Sequence, residues 1–511
     1  FRDLDRALAQ VRADCAVLLD SATAEACLTA AQTQELMPAI EFSMAAATRI
    51  CGPEFDSFAA RAGGDSRVVL GERRLRATAS MDYYSRLRQQ LSVSTAAAVA
   101  SAVVAIGRLP AKLNAVLRSL MAAVKQEQSP LLQARAATAV ARMAALCYSG
   151  QEPRLTAPAD KMVRNLATFV CADPWSTPVF AQRAAQTESI LMLEMVQREQ
   201  ASRDTATSSS NNNNSNNAAA QQMAAAASAS AQASQRKRRG GGASRQQDET
   251  AVSESCVAVP LVQPHSASSS EEQDKELAAR LVVRGAEAAV TAIARLFGAD
   301  LIRCVPRLWE CVTQPLAAAY GAQDEEEGVE AAADASFAVP GSSAAQSVID
   351  ALRVLLTLAP ALHSDLHAQL VDGLPWVLHA LVSRFASVRH MAARTLAELC
   401  AVVTPAAMRV FIQQSLPALA DTTRTHRRQG VAEAIYYIIQ RLDEAVLPYV
   451  TFLMVPVLGR MSDTNEQARL VCTNCFAQLL KLVPLEADIP DPPGFPAELV
   501  AQRDHERKFL A

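Results

Sequence analysis

Apolar residues recur at three- and four-residue steps along much of the chain. The clearest run lies between Val388 and Val403, where the apolar positions fall on one helical stripe. Similar runs cover residues 277–297 and 468–483. Because an apolar stripe must be buried against a neighbour, each run predicts an amphipathic helix that packs on another helix.

An apolar residue followed by Pro inside a helical run predicts that these helices are paired in repeats. The motif occurs at Val305-Pro306, Leu374-Pro375, Leu416-Pro417 and Val455-Pro456. Pro375 and Pro417 are 42 residues apart, and Pro417 and Pro456 are 39 apart, which is the period of HEAT or armadillo units. Since Pro removes one backbone hydrogen bond, the first helix of each unit should bend there. The predicted fold is all-α, an α-solenoid of HEAT-like helical hairpins.

Two segments interrupt the predicted array. Residues 205–270 hold a run of four Asn, Ala/Gln/Ser tracts and three consecutive Gly, which predict a long, low-complexity disordered insertion. Residues 321–343 include the acidic run 324–327 and predict an acidic loop. The other predicted segments are an N-terminal HEAT-like helical segment at 1–204, HEAT-like helices at 271–320, regular HEAT repeats at 344–486 and a Pro-rich connection at 487–511.

The amino-acid composition agrees with a helical protein and limits the partners and the compartment expected for it. Of the 511 residues, 50% are apolar but only 5% are aromatic, which favours Ala- and Leu-rich helices. Lys plus Arg number 49 against 52 Asp plus Glu, a net charge of −3 that predicts no general attraction to nucleic acid or acidic membranes. The 11 cysteines lack regular spacing, and no stretch reaches about 20 strongly apolar residues. The first residue is Phe1 rather than Met and the run of residues 1–6 is charged, which indicates a fragment of a longer protein without a secretory signal. The cysteine pattern and the lack of a long apolar stretch predict a soluble, intracellular protein that contacts no membrane.

No pattern of catalytic, cofactor-binding or metal-ligating residues is evident. The Gly run at 240–242 is not followed by Lys and Ser or Thr, so no phosphate-binding loop is predicted. His363 and His367 are four residues apart but lack the Glu that a zinc protease places after the first His. Cys472 and Cys475 form a lone Cys-x-x-Cys on an apolar stripe, which favours core cysteines over a metal or redox site.

One basic cluster lies in the predicted insertion. It consists of Arg236, Lys237, Arg238 and Arg239. An import receptor or nucleic acid could bind such a cluster, so it is a candidate nuclear-import signal. The alternative is an incidental charge run.

A second basic cluster, Arg424, Arg427 and Arg428, lies at a predicted turn between paired helices. This candidate contact turn could meet a phosphate or an acidic partner; alternatively, its side chains cover helix ends and pair with nearby acids. Asp421 stands six residues before Arg427, and Asp463 stands six before Arg469. These pairs are either a series of charge-assisted hydrogen bonds repeated along the stack or solvated surface pairs.

Several stretches resemble the TATA-binding-protein-associated factor family of Swi/Snf-type ATPases. They are residues 109–114 (LPAKLN), 387–394 (SVRHMAAR), 455–463 (VPVLGRMSD) and 484–493 (PLEADIPDPP). The resemblance covers most of the chain from about residue 80 onward and corresponds to the central and late part of the family's HEAT-repeat array. Residues 506–510 look like the connection that precedes the family's ATPase domain.

The resemblance implies a function that this chain shares with a longer protein. In that family a HEAT-repeat array holds TATA-binding protein, and a C-terminal ATPase uses ATP hydrolysis to remove it from promoter DNA. The chain is therefore expected to be a non-catalytic segment of a nuclear transcription regulator, without a cofactor, whose partner is TATA-binding protein and, indirectly, promoter DNA. The alternative is a generic HEAT scaffold, similar to a nuclear transport receptor or a phosphatase scaffold, that binds an unrelated protein.

Overall fold

The computed structural model describes residues 64–107, 109–110, 113–149, 153–197, 267–321, 326–483 and 492–510, together with the single residues 6 and 45. Within these ranges the chain forms helices and connections, with no strand. The all-α class predicted from periodicity is therefore confirmed. Most of the predicted insertion, including the basic cluster at 236–239, lies outside the described residues.

The longer helices follow one another in pairs. They are α1 (Gly64–Ile106), α2 (Asn114–Gln126), α3 (Pro130–Ser149), α4 (Pro153–Val170), α5 (Ala267–Phe297), α6 (Pro306–Tyr320), α7 (Glu326–Phe337), α8 (Ala344–Leu358), α9 (His367–Leu381), α10 (Ala386–Val402), α11 (Thr404–Val410), α12 (Thr425–Leu442), α13 (Val450–Arg460), α14 (Glu466–Leu482) and α15 (Ala497–Leu510). Between α11 and α12 the chain continues as a π-turn, Phe411–Ser415, and a 3₁₀ turn, Leu416–Ala420; a further 3₁₀ turn, Asp443–Tyr449, precedes α13.

The pairs stack in series, as expected for a solenoid. Helices α9 and α10 pack together, as do α13 and α14, while the second helices α8, α10, α12 and α14 contact one another in that order. The stripe between α10 and α12 contains the buried side chains of Leu396, Val431 and Ile435. Burial of one such side chain stabilises the fold by about 1.5–3 kcal/mol, so each pair depends on its neighbours. The predicted α-solenoid of HEAT-like hairpins is confirmed.

The prolines that revealed the repeat occupy different places in their helices. Pro375 and Pro456 lie inside α9 and α13. Pro417 follows the π-turn, whose wider hydrogen-bond spacing is suited to a residue that has no N–H to donate. Pro306, by contrast, is the first residue of α6, a position where no N–H is required. The prediction of an interior Pro was wrong for that unit.

The predicted acidic loop 321–343 contains a helix. Helix α7 spans Glu326–Phe337, and its side chains Val329, Ala333 and Phe337, four residues apart, are buried. This spacing defines an apolar stripe. The loop prediction was wrong because the acidic run was given more weight than the stripe that follows it. In the predicted connection 487–511, α15 likewise forms a helix from Ala497.

The predicted N-terminal helical segment 1–204 also contains a long non-helical stretch. We call residues 173–190 the strap; in it only the turn Phe180–Arg183 is helical. Pro174 and Pro178 disfavour helix here, because Pro lacks an N–H and restricts the residue before it. The strap contacts the starts of α8, α10, α12 and α14 through hydrogen bonds. The HEAT-like helical pattern predicted for 1–204 is therefore interrupted by the strap.

The chain divides into two compact units. The first unit comprises residues 1–190 and 272–511 and contains the stacked pairs. The second unit comprises residues 191–271, in which the described residues are a helix at 191–197 and the first residues of α5. Helix α5 begins at Ala267, so it overlaps the predicted insertion by four residues.

Three described stretches are long and apolar enough to cross a membrane, judged by length and composition only. They are Gln89–Ile106, Ala344–Ala361 and Thr425–Arg460. The expectation that no stretch would meet such a criterion was wrong. Repeat helices explain part of this apolarity, since 61% of the most apolar window of Ala344–Ala361 is buried inside the protein. That the chain contacts no membrane stays a prediction.

Candidate interaction surface

The turns between paired helices are organised by two aspartates. The Asp421 carboxylate accepts hydrogen bonds from the backbone N–H groups of Thr423 (2.8 Å) and Arg424 (3.1 Å). The Asp463 carboxylate accepts one from the N–H of Asn465 (2.8 Å). Asp favours such turns because its short side chain can bond to the backbone just after it. Hydrogen bonds from the Thr423 hydroxyl and from these N–H groups lower the pKa of Asp421 to about 2.

Arginines of the second helices reach back to the same turns. Arg428 donates to the backbone carbonyl of Asp421 (2.6 Å), and Arg469 donates to that of Asp463 (2.8 Å). Arg428 also forms an ion pair with the Asp463 carboxylate of the next unit (2.9 Å), and both side chains are almost fully buried. The repeated series predicted from Asp421 and Asp463 therefore exists in part. Arg469 bonds to the Asp463 turn at the predicted six-residue spacing, whereas the Asp421 turn is bonded by Arg428, seven residues on, rather than by Arg427. In both turns the Arg donates to the backbone carbonyl of the Asp and not to its carboxylate.

Two of the three arginines in the predicted contact turn are engaged inside the protein. Arg427 forms an ion pair with Glu330 of α7, which also lies 3.5 Å from His379. Burial raises the pKa of Glu330, but hydrogen bonds and charge from His379 and Arg427 outweigh it and lower the pKa overall. Arg428 is buried, whereas Arg424 is exposed. This arrangement agrees with the alternative in which these side chains pair with acids. Partner contact at this turn stays a prediction that now depends on Arg424.

A buried pair that sequence reasoning missed joins α10 to α12. His390 Nδ1 lies 2.7 Å from Glu433 Oε1, and both side chains are almost fully buried. The ring of Tyr437 packs edge-on against the imidazole, with centroids 5.8 Å apart. The 43-residue separation of His390 and Glu433, close to one repeat, was the available signal. Without solvent access, the pair is suited to fixing the packing of two repeats.

The other candidate reactive residues are held in structural positions. His363 is half exposed, and its Nδ1 accepts the N–H of Asp365 (3.3 Å). The described part of the chain contains no group of three His, Cys, Asp or Glu side chains suited to a metal ion. Cys472 and Cys475 are buried free thiols, in agreement with the prediction of core cysteines. Burial raises the pKa of Cys472 to about 12, which disfavours the reactive thiolate.

Two grooves lie on the side of the array formed by the first helices. A groove of about 500 Å³ is lined by Pro417, Phe452, Pro456 and Leu499, so it contains two of the repeat prolines. A smaller cleft of about 170 Å³ lies between α6 and α9, where Trp309 and Trp376 line it. These features and the stacked hairpins define the class as a HEAT-like helical-repeat protein, which works through extended surfaces.

Comparison with known proteins identifies the family of the chain. Residues 1–311 match the family described as a domain of unknown function (DUF3535). The chain is 32% identical over 474 residues to the TATA-binding protein-associated factor mot1 of Aspergillus fumigatus, and the match covers 92% of this chain and 21% of that protein. It is also 32% identical over 422 residues to TATA-binding protein-associated factor 172 of Homo sapiens, covering 82% and 21%. This chain belongs to the TATA-binding protein-associated factor family, and it spans about a fifth of the length of these relatives.

Proposed function

We propose that this chain is the non-catalytic HEAT-repeat segment of a nuclear transcription regulator that binds TATA-binding protein. In the longer protein, a C-terminal ATPase would use ATP hydrolysis to remove TATA-binding protein from promoter DNA. The observation that carries the proposal is the match over 92% of the chain to a relative named for its association with TATA-binding protein. The ATPase and the removal step come from the family resemblance.

The packing supports a role in which the array links a bound partner to a distant motor. Successive second helices contact one another along the stack, and buried pairs such as Arg428 with Asp463 and His390 with Glu433 join neighbouring units. Close-packed interiors have low compressibility and transmit strain. A displacement at one end of such a stack would therefore be passed along it rather than absorbed.

A pull-down with immobilised TATA-binding protein tests the partner. The comparison is between this chain and a longer form that includes the family's earlier repeats, with resin lacking TATA-binding protein as the control. The longer form should be retained. If neither form is retained above the control, the chain is a scaffold for another partner and the proposal fails. The longer form with its ATPase domain should hydrolyse ATP, whereas this chain should show no turnover above buffer.

A substitution pair tests whether the turn at Arg424 contributes to partner binding. Arg424 and Arg295 are both exposed arginines, on the α12 turn and near the end of α5. Arg424→Ala should reduce retention if the turn meets an acidic surface, and Arg295→Ala should leave retention unchanged. Equal effects of the two substitutions would remove the turn from the proposed contact.

Nuclear localisation is tested through the basic cluster at 236–239. Replacement of Arg236, Lys237, Arg238 and Arg239 by Ala in the chain fused to a fluorescent protein should move the fusion toward the cytoplasm. A nuclear fraction unchanged by the substitutions would show that this cluster is not the import signal.

A further inference from the structure

Polar side chains of four successive second helices hold the strap, and α10 contributes two of them, Arg389 and Arg394. Gln346 of α8 accepts the N–H of Phe180 (2.8 Å) and donates to the carbonyl of Pro178 (3.4 Å). Arg389 of α10 donates to two strap carbonyls, those of Thr187 (3.2 Å) and Ser189 (3.0 Å). These contacts are made to the main chain of the strap rather than to its side chains.

The contacts continue along the next two repeats. Gln429 of α12 donates to the carbonyl of Glu188 (2.7 Å). Gln467 of α14 accepts the N–H of Ile190 (2.6 Å). The backbone of α10 also takes part, since the N–H of Ala386 donates to a strap carbonyl at 3.1 Å. Each second helix from α8 to α14 therefore binds strap backbone near its first turn.

The four side chains occupy equivalent positions in the repeat. Gln346, Arg389, Gln429 and Gln467 are 43, 40 and 38 residues apart and lie within the first five residues of their helices. We call them the polar ladder. Recognition of an extended segment through its main chain provides affinity with little dependence on sequence, while pockets for particular side chains provide specificity. The polar ladder has the arrangement that this type of recognition requires.

Two apolar side chains anchor the strap beside the polar ladder. Phe180 is buried with its ring edge-on to Phe385, at a centroid distance of 5.1 Å. Ile190, at the other end, is 1% exposed. The two anchors are ten positions apart, and most of the backbone contacts lie at and between them. The strap is therefore bound as a peptide ligand would be, through two buried apolar side chains and through contacts to its main chain.

Arg389 shows that the strap occupies a site built for carbonyl groups. Its side chain is fully buried, and burial lowers its pKa to about 10. Two of its acceptors are carbonyls of its own turn, Ser383 (2.9 Å) and Arg384 (2.7 Å), two are strap carbonyls, and the fifth is Gln429 Oε1 (3.1 Å). A buried cation is costly unless hydrogen-bonded. An empty groove would remove two of these five acceptors from the buried guanidinium, so the site favours occupation by a backbone that offers carbonyl groups.

We propose that the polar ladder forms a groove for a peptide segment and that the strap is its resident ligand, bound in cis and exchangeable while the helical pairs stay folded. The groove fits a segment that has two apolar side chains ten residues apart and a helical turn at the first of them, as the strap has at Phe180. Exchange requires that the strap open more often than the helices that hold it, and this difference can be measured.

A labelled synthetic peptide of residues 173–190 tests the proposal by fluorescence anisotropy. The full chain with Phe180→Ala and Ile190→Ala, which weakens the resident strap, should bind the peptide at least about tenfold more tightly than the unaltered chain, since the resident strap lowers the open fraction. Adding Gln429→Ala and Gln467→Ala should weaken that binding by at least about tenfold. The matched control is Gln440→Ala with Gln478→Ala, an exposed and a half-buried glutamine on the same two helices that bond to each other and not to the strap; these substitutions should have no effect. Failure of the weakened chain to bind, or equal binding by ladder and control variants, would overturn the proposal.

Hydrogen exchange on the unaltered chain provides a test that does not depend on a variant that folds. Amides of the strap, including those of Phe180 and Ile190, should exchange through an opening at least about 100-fold more frequent than that of the amides in α10 and α12. Exchange of strap and helix amides at the same rate would show that the strap is an inseparable part of the fold and would refute the groove.

Discussion

Addition of one methyl group at Gly430 tests how closely successive repeats pack. A Cβ at this position of α12 would lie 2.0 Å from the carbonyl oxygen of Leu381, the last residue of α9, and 3.1 Å from Arg389 Cδ. Carbon and carbonyl oxygen ordinarily approach to about 3.3–3.6 Å. The carbonyl belongs to the backbone and cannot rotate away, so α12 would have to move by more than about 1 Å. Overpacking of a core typically costs about 1–3 kcal/mol, and Ala in a helix regains up to about 1 kcal/mol over Gly. Because the clash is with rigid backbone, we take the upper end of the overpacking cost. After subtraction of the gain from Ala, we expect Gly430→Ala to lower the free energy of unfolding by about 2 kcal/mol.

Urea unfolding followed by circular dichroism measures this change against two matched controls. Gly373 in α9 and Gly459 in α13 are helical glycines where an added Cβ meets nothing within 4 Å. Gly373→Ala and Gly459→Ala should therefore be neutral or raise the free energy of unfolding by up to about 1 kcal/mol. The same chemical substitution should thus have opposite signs at different sites. A Gly430→Ala chain that unfolds at the same urea concentration as the unaltered chain, or shifts in the same direction as both controls, would refute the close approach of α9 and α12.

Three further substitutions test electrostatics and backbone strain. Burial and neighbouring arginines lower the pKa of His426 to about 4 from 6.5, so between these pH values the unfolded chain binds a proton that the folded chain does not. The free energy of unfolding should therefore fall by about 1–2 kcal/mol as the pH drops from 6.5 to 4, after allowance for partial solvation. In urea unfolding at several pH values, His426→Gln should remove this pH dependence, and an unchanged dependence would contradict the role of His426. Arg428→Met should lower the free energy of unfolding by about 3 kcal/mol because it leaves Asp463 buried without its main partner. A double-mutant cycle with Asp463→Asn should show strong coupling, and additive losses would exclude an interaction between the two side chains. Asp443 has φ 49° and ψ −122°, a conformation that suits Gly, so Asp443→Gly should raise the thermal midpoint by relieving about 1 kcal/mol of strain, and a lower midpoint would contradict it.

The helical array could be predicted from sequence because its signals are local. The apolar stripe from Val388 to Val403 repeats every three to four residues, and the spacing from Pro375 to Pro456 repeats every unit. Both patterns arise because every repeat has the same helix geometry and stacks on the next repeat in the same way. The error over α7 is instructive, since Val329 and Phe337 define a stripe too short to stand out beside the acidic run.

The pairings that complete the candidate surface depend on contacts between distant parts of the chain. Arg427 meets Glu330 across 97 residues, and the sequence around either residue gives no sign of the other. The basic turn therefore looked open from sequence, although α7 folds against it. A charge cluster predicts an accessible surface only when the elements packed beside it are known.

The polar ladder could be predicted from the sequence only in part, because its own residues follow the repeat but the segment that they bind does not. Positions 346, 389, 429 and 467 follow the repeat, so a search of the sequence for polar residues at equivalent positions could have found them. Their ligand could not have been found in this way. The strap has no periodic pattern, and it is bound through carbonyl and N–H groups that belong to the main chain. Main-chain recognition therefore leaves a pattern in the sequence of the receptor but not in that of the ligand. For the same reason, a second segment could replace the strap without resembling it in sequence, provided that two apolar side chains occupy the places of Phe180 and Ile190.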